Sequence, residues 1–445
     1  YPKIEQHSST VNTYVTQLGN LGSVLIINED NKSFISEIQH VRRRETIAMT
    51  PANSLTALQM LVDSTVTPNL DPNFETNKNA VLSSIKEVTQ TNVKALLGSS
   101  GLSIQYAIMM GLIHHAKENH SGKPIKIIVP TNCYGGTNDQ ARRVAALTKN
   151  VEVVDLLVDR ENNMVDSLET VLSNIASQDG VPLIIAEIPT NPRVEVPNLV
   201  ELRDVLTKDR QTSDQQKAIE PVFILDQTFC PNVHFLGDNE ILASVKTIAY
   251  VSGSKFPSGG KCTAGYCTAN QKAKNLMNKI EQHLKLCDNE ATEHQIAILA
   301  KQMPSMNQRI AEAYKNTRAF VNYIHEVLPT AKINFVSEEL AEQGFTPSVF
   351  SLDLPTKGNN HEEREEYKRA LNLRLINLMI TELPNASKYC VSYGQLKGSY
   401  WTIPATSTQG TTKESDKDYI ARVAFSPDLD LDTHKRVFKE FVEGI

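Results

Sequence analysis

From about residue 90 the chain alternates short apolar runs with longer stretches of helical period. The runs lie at 93–97 (VKALL), 125–129 (IKIIV), 151–158 (VEVVDLLV), 182–186 (PLIIA), 222–225 (VFIL) and 247–251 (TIAYV). Each is too short for a stable helix and rich in branched side chains, which suit a pleated, buried surface. Helix-length stretches such as 101–119 and 137–148 lie between them. Strands alternating with helices predict an α/β fold built on a mostly parallel, doubly wound sheet. Ligands of such sheets sit outside the carboxyl ends of the strands, so the residues just after each run are the ones to read for chemistry.

The pattern changes after the last of these strands. A long helical section at roughly 289–328 leads into a smaller C-terminal α/β region that ends in an amphipathic helix at 432–443. Polar insertions, helical or looped, fall at 207–220 and 356–367. The expected organisation is an N-terminal arm over 1–65, a large domain over 66–300 and a C-terminal domain over 301–445. No internal repeat or low-complexity tract interrupts it.

Composition narrows the class. The 445 residues are 40% hydrophobic and 22% charged, with a formal net charge of -6. That is enough chain for two or more domains around a large core. Arg42, Arg43 and Arg44 form the densest basic spot, too small a block to predict a nucleic-acid partner. No apolar run approaches the ~20 residues of a membrane-spanning helix. The N-terminal residues lack the basic-then-apolar order of a signal peptide. Six cysteines, at 133, 230, 262, 267, 287 and 390, show neither CxxC spacing nor histidines at ligand distance. A reduced, cytoplasmic chain without a metal site is expected.

The stretch VSGSKFPSGG, Val251 to Gly260, follows the run at 247–251 and sets Lys255 among hydroxyls and glycines. A surface loop tolerates that composition, and so does a site that needs an amine. A catalytic lysine requires partners, and the other strand ends offer them. Asp226 ends the run at 222–225; such an acid can cap a helix, or pair with the protonated ring nitrogen of pyridoxal phosphate. The segment GSSGLSIQYAI, Gly98 to Ile108, opens a helix whose exposed N–H groups and dipole favour a phosphate. In TNCYGGTND, Tyr134 precedes two glycines and could present its ring to a planar ligand or simply pack in a turn. In EIPTNPRVEVP, Asn191 could donate to a ring oxygen, although Asn-Pro is also an ordinary turn signal.

In order, SSGL, CYGGTN, EIPTNP, LDQTF and SGSKF resemble the pyridoxal phosphate enzymes of cysteine and methionine metabolism, which include cystathionine synthases and lyases and methionine γ-lyase. Members of that family read SGM, YGGT, ExPTNP, DNTF and SxTK at similar spacing. Further on, CVSYGQLKGSYWTIPATST resembles the family's SLGGxESLxxHPAxxTH, and IARVAFSPDLDLD its R[LI]SVGxED segment. The resemblance spans roughly residues 75 to 445 and is specific as an ordered set. It implies a fold of the aspartate aminotransferase type with pyridoxal 5'-phosphate as cofactor. It also implies elimination or replacement at Cβ or Cγ of a sulfur-containing or γ-substituted amino acid, in a homodimer or homotetramer.

By the same resemblance, Lys255 is the Schiff-base lysine and proton shuttle, and Asp226 the acid at the pyridine nitrogen. Tyr134 stacks on the ring, and Asn191 lies near its phenolic oxygen. Gly101 and Leu102 amides and the Ser252 and Ser254 hydroxyls cradle the phosphate, and Ser100 and Thr228 belong to the same cofactor-binding set. Arg422 grips the substrate α-carboxylate, a planar bidentate task suited to guanidinium, and Ser392 stands beside it.

The chain departs from the family in one main respect. The customary Tyr-x-Arg pair supplied by a neighbouring subunit has no counterpart: the corresponding PNLDPNFET at 68–76 offers neither side chain. Lys397, Ile403 and Gln227 replace a glutamate, a histidine and an asparagine that the family often carries. Phosphate neutralisation then falls on backbone dipoles, on Arg42 to Arg44, or on Lys261. An alternative follows, in which the chain binds the cofactor but has lost or altered its activity and serves a structural or regulatory role. A nicotinamide-dependent enzyme is disfavoured, because no GxGxxG follows the first strand.

Overall fold

The computed structural model describes residues 13–18, 22–44, 49, 51–63, 71–158, 163–390, 395–404 and 419–445. An antiparallel hairpin of β1 (Thr13–Leu18) and β2 (Gly22–Ile27) comes first. Helices α1 (Ile35–Arg44), α2 (Pro51–Val62) and α3 (Phe74–Thr89) follow. Helix α3 buries an apolar stripe through Val81, Ile85 and Val88.

The central sheet contains β3 (Leu96–Gly98), β4 (Ile125–Pro130), β5 (Val151–Leu156), β6 (Val181–Glu187), β7 (Val222–Asp226), β8 (Lys246–Ser252) and β9 (Gly265–Ala269). Its order is β3-β9-β8-β7-β6-β4-β5. From β5 to β8 every pairing is parallel, whereas β9 runs antiparallel to both neighbours. All six predicted strands are present within a few residues. Sequence reading missed β9. Its residues, GYCTA, are mostly small, and the spacing is tight for a reason: a side chain on Gly265 would run into the Ser100 carbonyl.

Both faces of this sheet are covered, as the continuous apolar strands require. Helices α4 (Gly101–Asn119), α5 (Gly135–Leu147) and α8 (Met277–Leu286) cover one face, meeting Ile127, Val129, Ile185 and Ile224. Helices α6 (Met164–Ser177) and α7 (Leu199–Thr207) cover the other, against Ile128, Ile184, Phe223 and Leu225. The insertion at 207–220 is a loop stitched by a bridge between Gln211 and Lys217.

The helical section at 289–328 is two helices, α9 (Glu293–Gln302) and α10 (Met306–Val327), split by a tight turn containing Pro304. Proline cannot supply the N–H a continuous helix needs. A second sheet follows: β10 (Lys332–Asn334), β11 (Val349–Asp353), β12 (Ser387–Tyr389), β13 (Gly398–Pro404) and β14 (Tyr419–Ala424), in the order β10-β11-β14-β13-β12. Short α11 (Glu338–Glu342) lies between β10 and β11. The insertion at 356–367 is loop as far as Asn360, whose side chain caps α12 (His361–Glu382). The predicted terminal helix is α13 (Leu431–Glu443).

The two faces of the second sheet are used differently. Phe350, Tyr400, Val423 and Phe425 pack against Phe320 of α10, Leu375 of α12 and Phe438 of α13. On the opposite face, Val349 and Ala424 join the core around the central sheet. That face therefore looks toward the central sheet, and it carries the paired residues Ser351, Arg422 and Trp401. Among the described residues, no helix is long and apolar enough to cross a membrane. Nor does any group of three or more His, Cys, Asp and Glu side chains among the described residues have the arrangement to hold a metal.

Candidate active site

The predicted residues come from the carboxyl ends of four parallel strands, the start of α4 and one strand of the second sheet. Ser100 caps α4: its hydroxyl accepts the Ser103 N–H at 3.0 Å, and the Ser103 hydroxyl accepts the Ser100 N–H at 2.9 Å. The Ser100 side chain is thus committed to the helix, and the free N–H groups of the first turn belong to Gly101 and Leu102. Gly101 lies against β8 so closely that a Cβ there would sit 2.9 Å from that of Ser252. The start of α4 and the Ser252 hydroxyl are thereby set side by side. The Ser252 N–H donates to the Thr228 hydroxyl at 3.0 Å, which ties the ends of β7 and β8 together.

Tyr134 precedes α5, and its ring folds back over Gly136, where any side chain would collide with it. Asp226 ends β7 and accepts the Thr228 N–H at 2.8 Å. Beside it in the sheet is Glu187, the last residue of β6. Glu187 accepts the N–H of Tyr134 at 2.6 Å and that of Asn191 at 3.2 Å. Sequence reading quoted this glutamate at the head of EIPTNP but gave it no role; its placement at a strand end was the signal available.

The electrostatics follow from burial. Desolvation first, then the charge of Asp226, pushes Glu187 up to about 8. Asp226 is also raised, chiefly by desolvation, against opposing hydrogen bonds from Thr228 and Tyr250 and the charge of Lys255. Two adjacent buried carboxyls cannot both be ionised cheaply, so the pair holds a proton. A cation placed against Asp226 would reverse that balance.

Lys255 lies in the turn after β8, its surface partly accessible but its surroundings dense with protein. Burial first, then the Arg422 charge, brings its amine down to about 8, with Lys388 pushing the same way and Cys390 and Asp226 opposing. Arg422 is buried and donates from Nη1 to the Asn191 Oδ1 at 3.2 Å, joining the second sheet to the end of β6. Ser254 immediately precedes Lys255 on its turn. Ser392 lies outside the described residues.

Two of the departures from the family pattern have definite places, and the side chain of Ile403 lies outside the described residues. Gln227 is buried and donates to the Val233 carbonyl, so it supports the turn rather than the cleft. Lys397 reaches the Pro384 carbonyl. Lys261, proposed as a phosphate cation, is exposed.

No protein-family model matches the chain, and no curated protein matches it. Solved structures do. The cystathionine gamma synthase of Xanthomonas oryzae pv. oryzae, in complex with aminoacrylate and cysteine, aligns at a TM-score of 0.59 and 14% identity, over 83% of this chain and 85% of that one. The metB protein of Corynebacterium glutamicum aligns at 0.60 and 14%, over the same shares. The Xanthomonas enzyme with cystathionine gives 0.60 and 14%, over 85% of this chain and 89% of that one. The chain shares their fold. At this identity the likeness extends to architecture, and the chemistry must be argued from the residues.

The cleft fits a planar, phosphate-bearing pyridine. It has a helix start that only glycine can bring against Ser252, a ring held over a glycine, a buried acid pair within the fields of Lys255 and Arg422, and an amine of lowered proton affinity. Each feature addresses a different part of pyridoxal phosphate.

Proposed function

We propose that this protein is a pyridoxal phosphate enzyme that eliminates or replaces a group at Cβ or Cγ of a sulfur-containing or γ-substituted amino acid. The observation that carries this reading is the convergence of Lys255, Asp226 and Arg422 from two sheets around one cleft, with Lys255 brought down to about 8. When bound, the cofactor supplies an aldehyde for the lysine amine and an electron-withdrawing ring that acidifies the substrate Cα–H.

The chain's own residues do the rest. Gly101 and Leu102 amides with the Ser252 hydroxyl hold the phosphate. Asp226 would hold a proton on the nitrogen of a bound pyridine ring, and Tyr134 would supply an aromatic surface for it. Arg422 orients the substrate carboxylate, its guanidinium kept in place by Asn191. The Lys255 Nζ, with proton affinity near neutrality, takes the Cα proton and returns it further along the side chain. Members of such assemblies act as homodimers or homotetramers, and the reading includes that state here. The segment 68–76, without arginine or tyrosine, favours a second reading in which the cofactor binds but turnover is lost.

The test is covalent labelling. Pyridoxal phosphate followed by borohydride should add one cofactor mass to the wild-type chain, on the peptide containing Lys255, and none to Lys255→Ala. No mass gain in the wild type would overturn the reading. A substrate panel with and without cysteine, read by product mass, then separates elimination, replacement and the inactive alternative.

A further inference from the structure

We propose that Trp401, backed by Tyr389, is the specificity wall of this cleft, selecting an uncharged, polarizable side chain such as a thioether over one with a distal carboxylate. The inference rests on the reading of Arg422 as the carboxylate anchor.

Trp401 on β13 is paired directly with Arg422 on β14. Directly paired residues on neighbouring strands leave the same face of a sheet. That face is the one toward the central sheet, because Val349 and Ala424 on it pack into the core there. Arg422 reaches Asn191 at 3.2 Å, so the row that contains Trp401 borders the cleft of Lys255. The edge strand β12 closes the row: its next residue, Cys390, donates its N–H to the Tyr400 carbonyl at 3.2 Å. The charges of Cys390 and Lys388 act on Lys255, which sets this end of β12 near the amine.

The wall is aromatic and soft. Tyr389 stacks on Trp401 with ring centroids 4.2 Å apart and 29° between planes, and Ile420 packs against the indole. Tyr389 is 47% exposed at the sheet edge, and its ring reaches the indole although its backbone is paired with Tyr400. Thioether sulfur packs favourably against aromatic rings, whereas a distal carboxylate would be desolvated against them. Lys388 lies one row away, opposite Ser399, and offers the competing reading of a distal anion.

The chain contains a single tryptophan, so its emission reports on this position alone. The cofactor-loaded protein is titrated with L-methionine, L-norleucine and L-glutamate, reading Trp401 emission and, separately, the cofactor's visible absorbance. Methionine should bind about tenfold more tightly than glutamate, the order of one good aromatic–sulfur contact. Trp401→Ala, followed by absorbance, should erase that preference while still binding L-alanine, and Trp401→Phe should keep most of it. Glutamate binding as well as methionine would overturn the proposal in favour of Lys388. An undiminished preference in Trp401→Ala would overturn it too. A chain that gains no visible band yet changes emission with methionine would keep the wall and refute the cofactor reading; a band without the preference would do the reverse.

Discussion

Glu187 does two things with one carboxyl: it fixes the backbone of Tyr134 and Asn191, and it shares a buried site with Asp226. Unfolded, it titrates near 4.5; folded, near 8. Between those values the native chain keeps a proton that the unfolded chain has lost, so stability falls as pH rises through the window. In Glu187→Gln no proton is exchanged at that position, and Asp226 loses its like-charged neighbour. The cofactor-free variant should therefore show a flatter midpoint temperature between about pH 4.5 and 8 than the wild type. The slope is the readout, because the glutamine, with one acceptor oxygen, also loses one of the two N–H bonds and shifts the absolute value. Equal slopes would remove Glu187 as the group that holds the proton.

At the scale of elements, the start of α4 against the end of β8 is the most demanding contact. Gly101→Ala places a methyl 2.9 Å from the Ser252 Cβ, with Ser252 backbone at 3.1 Å behind it. Backbone cannot rotate away, so helix and strand must separate. A loss of about 1–3 kcal/mol in unfolding free energy is expected for such overpacking. Weaker cofactor binding should accompany it, read by titration of visible absorbance. A variant with both properties unchanged would show that the two elements are not in forced contact. This contact also marks how far sequence reaches. Central strands, buried on both sides, are continuously apolar and were legible, whereas Glu187 at the carboxyl end of β6 was passed over. Strand β9 was not, because the close backbone of Ser100 requires glycine at its first position and the short GYCTA run carries no strand pattern. Trp401 was not singled out either: its relation to Arg422 is set by strand register, and no local spacing encodes that.

For the whole molecule, the two sheets meet through Arg422 and Asn191 on one side and through Val349 and Ala424 in the core. The N-terminal elements are less well covered. Along α2, Leu55, Leu58, Leu61 and Val62 recur at helical spacing and are exposed, Val62 by 90%. In the hairpin and α1, Tyr14, Ile26 and Ile35 are exposed as well. A two-stranded hairpin has little stability of its own, and an exposed apolar stripe such as that of α2 is a candidate interaction site. A second copy of the chain is the occupant that fits the proposed homo-oligomer. Light scattering at micromolar concentration should then give the mass of a dimer or larger for the wild type. Leu58→Glu, which sets a charge in the middle of the stripe without touching the cleft, should shift the population toward 49.5 kDa. A wild-type chain that scatters as a monomer, or a variant with unaltered mass, would assign this stripe no part in assembly.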